Sequence, residues 1–233
     1  MVFLLPCRDD SGCAVAGAAI GPFGNGYMRM EQAHPVLEGY TGTTILPAAE
    51  FRVPVSQLSS GGLHLSVVPH YPSFPPEMVF PRIRRTDEPA AVFRQQGSSR
   101  IVYFPGDIDR TFWRCGHPDF SRLIINSVRW LLNGQELPAS VEGNGMLEMF
   151  AWETEPGFAL HILNYTNPNM TRPFISQFYP VGPLQARFHV PEGRKITSVR
   201  ALRASRDLSF KQSEGEVRFE VPSVPDYEVI ALT

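Results

Sequence analysis

No apolar run in this chain approaches the roughly 20 residues needed to cross a bilayer as a helix, which excludes a membrane span of that kind. No secretory leader is expected from the opening residues either. Val2 to Leu5 is apolar, but Pro6, Arg8, Asp9 and Asp10 end that run far short of a signal-peptide core. Cysteine is scarce: Cys7, Cys13 and Cys115 are odd in number and lack metal-like spacing, so neither a disulfide framework nor a metal site is expected. That points to a reducing, cytoplasmic compartment. Excess basic charge is absent as well. A formal net charge of −2 leaves no footprint for nucleic acid. Long helical patterns are few, as 22 prolines in 233 residues would dictate, and short strands with irregular loops are favoured instead. The glycines of GPFGNGYMRME (Gly21, Gly24, Gly26) lack the Lys-Ser/Thr pair of a phosphate loop, and no helical pattern follows to receive an anion. They read as a turn, and no cofactor is expected.

What is present centres on Arg100 to Gly134. Ile101 to Phe104 is an apolar run of strand length, broken by Pro105-Gly106. A polar loop holding Asp107, Asp109 and Arg110 follows. After Pro118 the period lengthens: Phe120, Leu123, Ile124, Val128 and Leu131 form a stripe down one helical face. Asp119 stands at the expected N-cap, and Asn133-Gly134 supplies a left-handed stop. Strand, loop and amphipathic helix make the closing unit of a layered α/β domain.

Before it, residues 1–20 read as a poorly structured start. HPVLEGY (His34 to Tyr40) reads as a helical turn ended by Gly39, with His34 a cap or packing residue. Short strands are expected at Thr44–Leu46, Glu50–Val55 and Leu63–Val68, with Gly61-Gly62 as a hairpin turn. His70 to Pro89 is proline-rich without period, a long ordered loop. Ala90–Arg94 and Ile101–Phe104 pair through Gly97. After Pro138 helical periodicity disappears. Met146–Phe150, Phe158–Leu163, Gln185–Val190, Ile196–Leu202, Val217–Val221 and Glu228–Leu232 read as strands of a small β-sandwich over 138–233.

Several phrases carry a resemblance. HPVLEGY, EMVFPR and RIVYFPGDIDRTFW, then HILNYTNP, FYPVGP and VPSVPDYEV, occur in an order that resembles the β-galactosidase trimerisation domain. That domain is flavodoxin-like and glutamine-amidotransferase-like, and the version most resembled is attached to glycoside hydrolases with an N-terminal (β/α)8 barrel. The resemblance covers about Gly24 to Thr233. It implies a partial flavodoxin-like domain over 21–137 followed by the β-sandwich. The barrel and the opening strand–helix units are absent, so the chain resembles the C-terminal portion of a larger enzyme or a truncated gene product. A homo-oligomer, or association with the missing barrel, is the partnership so implied.

Chemistry-bearing residues are few. Asp107 and Asp109 follow a strand, where α/β folds keep their sites, and a carboxylate pair could act as acid and base. Residues two apart on an extended chain point to opposite sides, however, and a structural role beside Arg110 is the alternative. Cys115 and His117 stand at a spacing poor for a metal, with no third ligand near. His161, Asn164 and Asn167 could contact sugar hydroxyls or satisfy backbone around the Thr166–Pro168 turn. Trp113, Trp130 and Trp152 could offer a stacking face for sugar, Trp130 being partly packed in the helix. Asn164-Tyr165-Thr166 and Asn169-Met170-Thr171 match the glycosylation pattern.

Three functions are compatible with these residues. A non-catalytic accessory and assembly region of a glycoside hydrolase is the first. A carbohydrate-binding module would need exposed aromatics along one face of the sandwich. A stand-alone hydrolase would need Asp107 and Asp109 to converge in a cleft.

Overall fold

The computed structural model describes residues 13–57, 64–167 and 177–233. Most of the expected unstructured start (1–12), the Gly61-Gly62 turn and the Asn169-Met170-Thr171 acceptor pattern lie outside the described residues. The chain divides into two units, Met1–Gln135 and Glu136–Thr233. No helix among the described residues is long and apolar enough to cross a membrane.

The first unit contains β1 (Cys13–Val15), β2 (Tyr27–Met30), a 3-10 turn at Pro35–Leu37, β3 (Ile45–Pro47), β4 (Val55–Gln57) and β5 (Leu65–Val68). A second 3-10 turn at Pro76–Met78, β6 (Pro89–Gln96), β7 (Ser99–Tyr103), α1 (Ile108–Cys115) and α2 (Pro118–Leu132) complete it. Residues 13–20, read from sequence as part of an unstructured start, carry β1, which pairs with β4, and a bridge from Ile20 to Arg52. The other five strands form one sheet in the order β3-β2-β5-β6-β7. Every neighbouring pair is antiparallel. A flavodoxin-like sheet is parallel and needs a crossover helix between strands, so that topology is not what these connections build. Short loops suffice here: β6 and β7 meet through Gly97 at φ +60°, as the hairpin reading expected.

The sheet carries its helices on one face. Met28, Leu46, Leu65, Val67 and Phe93 share a core with Phe120 and Leu123 of α2 and with Val36 and Leu37 of the first 3-10 turn. The expected polar loop after Pro105 is in fact α1. Its signals were present: Asp109 in the first turn, Arg114 in the last, and Gly116 at φ +64° as the left-handed stop. In α2 the N-cap is His117, not Asp119. Pro118 takes the first helical position, and the Asp119 N–H donates to His117 Nδ1 at 3.2 Å. The buried line of α2 is also rotated from the expected stripe. Phe120, Leu123 and Ser127 are buried, whereas Val128 and Leu131 are 47% and 38% exposed. Ser127 tolerates the inner position because its hydroxyl donates to the Leu123 carbonyl at 2.7 Å. Asn133 ends the helix at φ 51°, as expected.

Among its described residues the second unit is all β: β8 (Ala139–Glu142), β9 (Leu147–Glu153), β10 (Phe158–Asn164), β11 (Leu184–His189), β12 (Val199–Ala201), β13 (Arg206–Asp207), β14 (Phe210–Ser213), β15 (Glu216–Val221) and β16 (Tyr227–Leu232). Two antiparallel sheets form, β13-β12-β16-β10-β9 and β14-β15-β11-β8. Strict alternation assigns their inner faces. Phe158, Leu160 and Ile162 of β10 and Ile230 and Leu232 of β16 meet Leu184, Ala186 and Phe188 of β11 and Val217, Phe219 and Val221 of β15 in one core. The unit is a β-sandwich.

Candidate functional site

Asp107 ends the connection into α1 and is bonded on both oxygens. Its Oδ1 accepts from the Phe51 N–H (2.9 Å) and the Thr111 hydroxyl (3.2 Å), and its Oδ2 accepts from the Arg110 guanidinium (2.9 Å). The Thr111 hydroxyl in turn accepts from the Glu50 N–H at 3.0 Å, and the Glu50 carboxylate pairs with Arg114 and Arg110. This network fastens the N-terminus of α1 to residues 50–51. Asp109 is exposed in the first helical turn, where its charge favours the helix dipole. Asp107 is the N-cap residue, with φ −78° and ψ 58° outside the helical region, while Asp109 lies in the first turn of α1 and takes no part in the Asp107 network. Trp113 on the same helix is 84% exposed. Cys115 is an exposed free thiol, and His117 is committed to capping α2. Among the described residues no group of three or more His, Cys, Asp or Glu is placed to hold a metal.

His34 sits in an aromatic nest. Its Nδ1 accepts from the Val36 N–H at 3.2 Å, capping the 3-10 turn. Its ring stacks on Phe93 at 4.6 Å and meets His64 and Trp130 edge-on, each at 4.8 Å. Arg100 lies over Trp130 and donates to the Trp130 carbonyl at 2.7 Å. Burial first, then the charges of His64 and Arg100, lower the His34 pKa from 6.5 to about 4. The unfolded chain therefore binds more protons between pH 6.5 and 4, and stability falls as pH drops through that window. We expect His34→Gln to remove on the order of 1–2 kcal/mol of that slope after solvent screening is allowed for. Urea titrations at pH 7 and pH 4.5 check this, and equal slopes in the two proteins would refute it.

In the second unit Asn164 is 4% exposed. Its amide nitrogen donates to the carbonyls of Tyr179 (2.8 Å), Val224 (3.0 Å) and Pro225 (2.8 Å), and its Oδ1 accepts from the Thr166 N–H (2.9 Å). So committed, it can neither receive a glycan in the folded chain nor reach a sugar. Asn167, half-buried three residues on, follows the same turn. His161 does face outward from β10, and its Nδ1 lies 2.5 Å from the Tyr227 hydroxyl. Trp152 is 60% exposed on β9 and faces the same way, as does Phe150, which stands opposite His161 in the ladder. Exposed aromatics thus line the outer face of the five-stranded sheet. Arg200 and Asp207, joined at 3.0 Å, stand across that face on β12 and β13. Nothing in the local sequence marks these two, because register alone brings them into line with Trp152.

No protein-family model matches the chain, and no curated protein matches it. Solved structures do. An α-L-fucosidase isoenzyme 2 from Paenibacillus thiaminolyticus is similar at 15% identity and TM-score 0.64, over 95% of this chain and 33% of that one. Gan42B, a GH42 β-galactosidase from G. stearothermophilus, is similar at 10% identity and TM-score 0.51, over all of this chain and 25% of that one. The chain thus spans a quarter to a third of the length of these glycoside hydrolases and shares a fold with part of each.

Proposed function

We propose that this chain is a non-catalytic accessory and assembly region of a glycoside hydrolase, acting in the cytoplasm. One observation carries the reading: almost the whole chain matches the fold of only a part of two glycoside hydrolases, while its own carboxylate candidate, Asp107, is spent on fastening α1. The resemblance to the trimerisation domain implies an assembly role, although the antiparallel sheet is not flavodoxin-like. Two apolar surfaces support an assembly role. Phe74, Phe80 and Ile83 are exposed on the ordered connection before β6, and Ile125, Val128 and Leu131 on the outer side of α2. Exposed apolar groups in such clusters mark contact sites, for a second copy or for a catalytic barrel.

The purified chain should hydrolyse no aryl galactoside, glucoside or fucoside. By light scattering it should be larger than a 26.0 kDa monomer. Turnover abolished by Asp107→Asn or Asp109→Asn would make the chain a hydrolase in its own right. A monodisperse monomer that binds no apolar dye would remove the assembly role.

A further inference from the structure

We infer that the outer face of the five-stranded sheet is a binding platform for a neutral oligosaccharide, whatever catalytic domain the chain serves. Register builds the site. Trp152 pairs with Ala159, Ala159 with Ala231, Ala231 with Arg200, and Arg200 with Asp207, one residue from each of five neighbouring strands. Ala159, Ala231 and Arg200 face away from the core, because their sequence neighbours Phe158, Leu160, Ile230, Leu232, Val199 and Ala201 point into it, and their ladder partners Trp152 and Asp207 share that face. With neighbouring strands about 4.8 Å apart, the two alanines make a low floor between the indole and the Arg200–Asp207 pair. The distance from Trp152 to Arg200 along this row is about 14 Å, three strand spacings.

That profile suits a sugar chain. A pyranose shows axial C–H groups on its faces and hydroxyls around its rim. The C–H face needs a broad, rigid, weakly polar surface, which an exposed indole supplies at small entropic cost. The rim hydroxyls both donate and accept, and so need donors and acceptors side by side. Arg200 donates only and Asp207 accepts only, so together they answer a hydroxyl pair. Joined at 3.0 Å, the pair carries no net charge and so offers an acidic sugar no excess attraction. Phe150, in the next outward row of β9, extends the apolar wall along the strand and offers a neighbouring sugar a second surface. Scale favours a small ligand over a protein. The row across five strands is roughly 19 Å long and only β9, β10 and β16 carry it to further outward rows, so the face is smaller than about 270 Å² of sheet. A stable protein interface buries about 800 Å² per partner.

The test uses the full chain in affinity gel electrophoresis against three soluble neutral polysaccharides: β-1,4-galactan, xyloglucan and hydroxyethyl cellulose. Retardation by at least one is expected. Trp152→Ala should weaken it at least 10-fold and Arg200→Ala several-fold, both with unchanged thermal midpoints. Trp113→Ala, at an even more exposed indole in the first unit, should change nothing. Three results would each overturn the inference: no retardation by any polymer, loss in Trp113→Ala but not in Trp152→Ala, or a Trp152→Ala variant that changes only the sedimenting mass. The last would make the face a protein interface. Aryl-glycoside turnover is measured separately, so failure of this platform and failure of the accessory reading are told apart.

Discussion

Asn164→Ala should lower the stability of the β-sandwich by about 3–5 kcal/mol, seen as a fall in the urea midpoint. The bonds to the carbonyls of Tyr179 and Pro225 and from the Thr166 N–H are lost together, while the Val224 carbonyl keeps the Val181 N–H, and each buried group left unsatisfied costs about 1–3 kcal/mol. A domain of this size holds only about 5–15 kcal/mol in total. Asn164→Asp gives the sharper outcome. It keeps the shape but turns a carboxylate oxygen toward the carbonyls of Tyr179, Val224 and Pro225. It should therefore be at least as harmful as alanine at pH 7. A wild-type midpoint in the Asp variant would mean that the amide is oriented the other way, or that water fills the site.

Leu123→Ala should cost about 2–5 kcal/mol, the range for emptying a fully buried aliphatic site. Leu123 is 1% exposed and shares its core with Phe120, Phe93 and the inner residues of β2 and β5. Val128→Ala, on the outer side of the same helix, should change stability by less than about 0.5 kcal/mol. Thermal midpoints of the two variants decide the matter. If Val128→Ala is the more destabilising, the helix is seated on the face that the sequence stripe suggested.

That stripe shows what the sequence could and could not give away. In the second unit β10, β11, β15 and β16 alternate strictly and were legible, with β9 and β12 beside them, and with these the sandwich; β8, β13 and β14 are too short or too polar to be read. In the first unit the strands are short apolar runs. Such a run has the same look in a parallel and in an antiparallel sheet, so strand direction was read from resemblance and not from chemistry. The seating of α2 turned on Ser127, a residue that hydrophobic spacing counts as outward until its bond to the Leu123 carbonyl is known. Helix α1 was missed although its terminal signals were in place, because Pro105-Gly106 drew the reading toward a loop. Of the site candidates, His161 and Trp152 were within reach of sequence, one as a polar and one as an aromatic strand residue. Arg200 and Asp207 were not, since only the hydrogen-bonded register of four ladders places them across from the indole.

The position of β16 has a consequence for synthesis. It is the last of the described strands in the chain, yet it lies inside its sheet, between β10 and β12. Its partner β10 precedes it by some seventy residues, Phe158 pairing with Leu232. On the ribosome, β9 and β10 can zip into a hairpin early, but the apolar side of that hairpin has no sheet to complete until residue 232 has left the exit tunnel. Closure of the sandwich therefore waits for β16 and is governed by long-range pairing, and the nascent chain must carry the exposed edge of β10 until then.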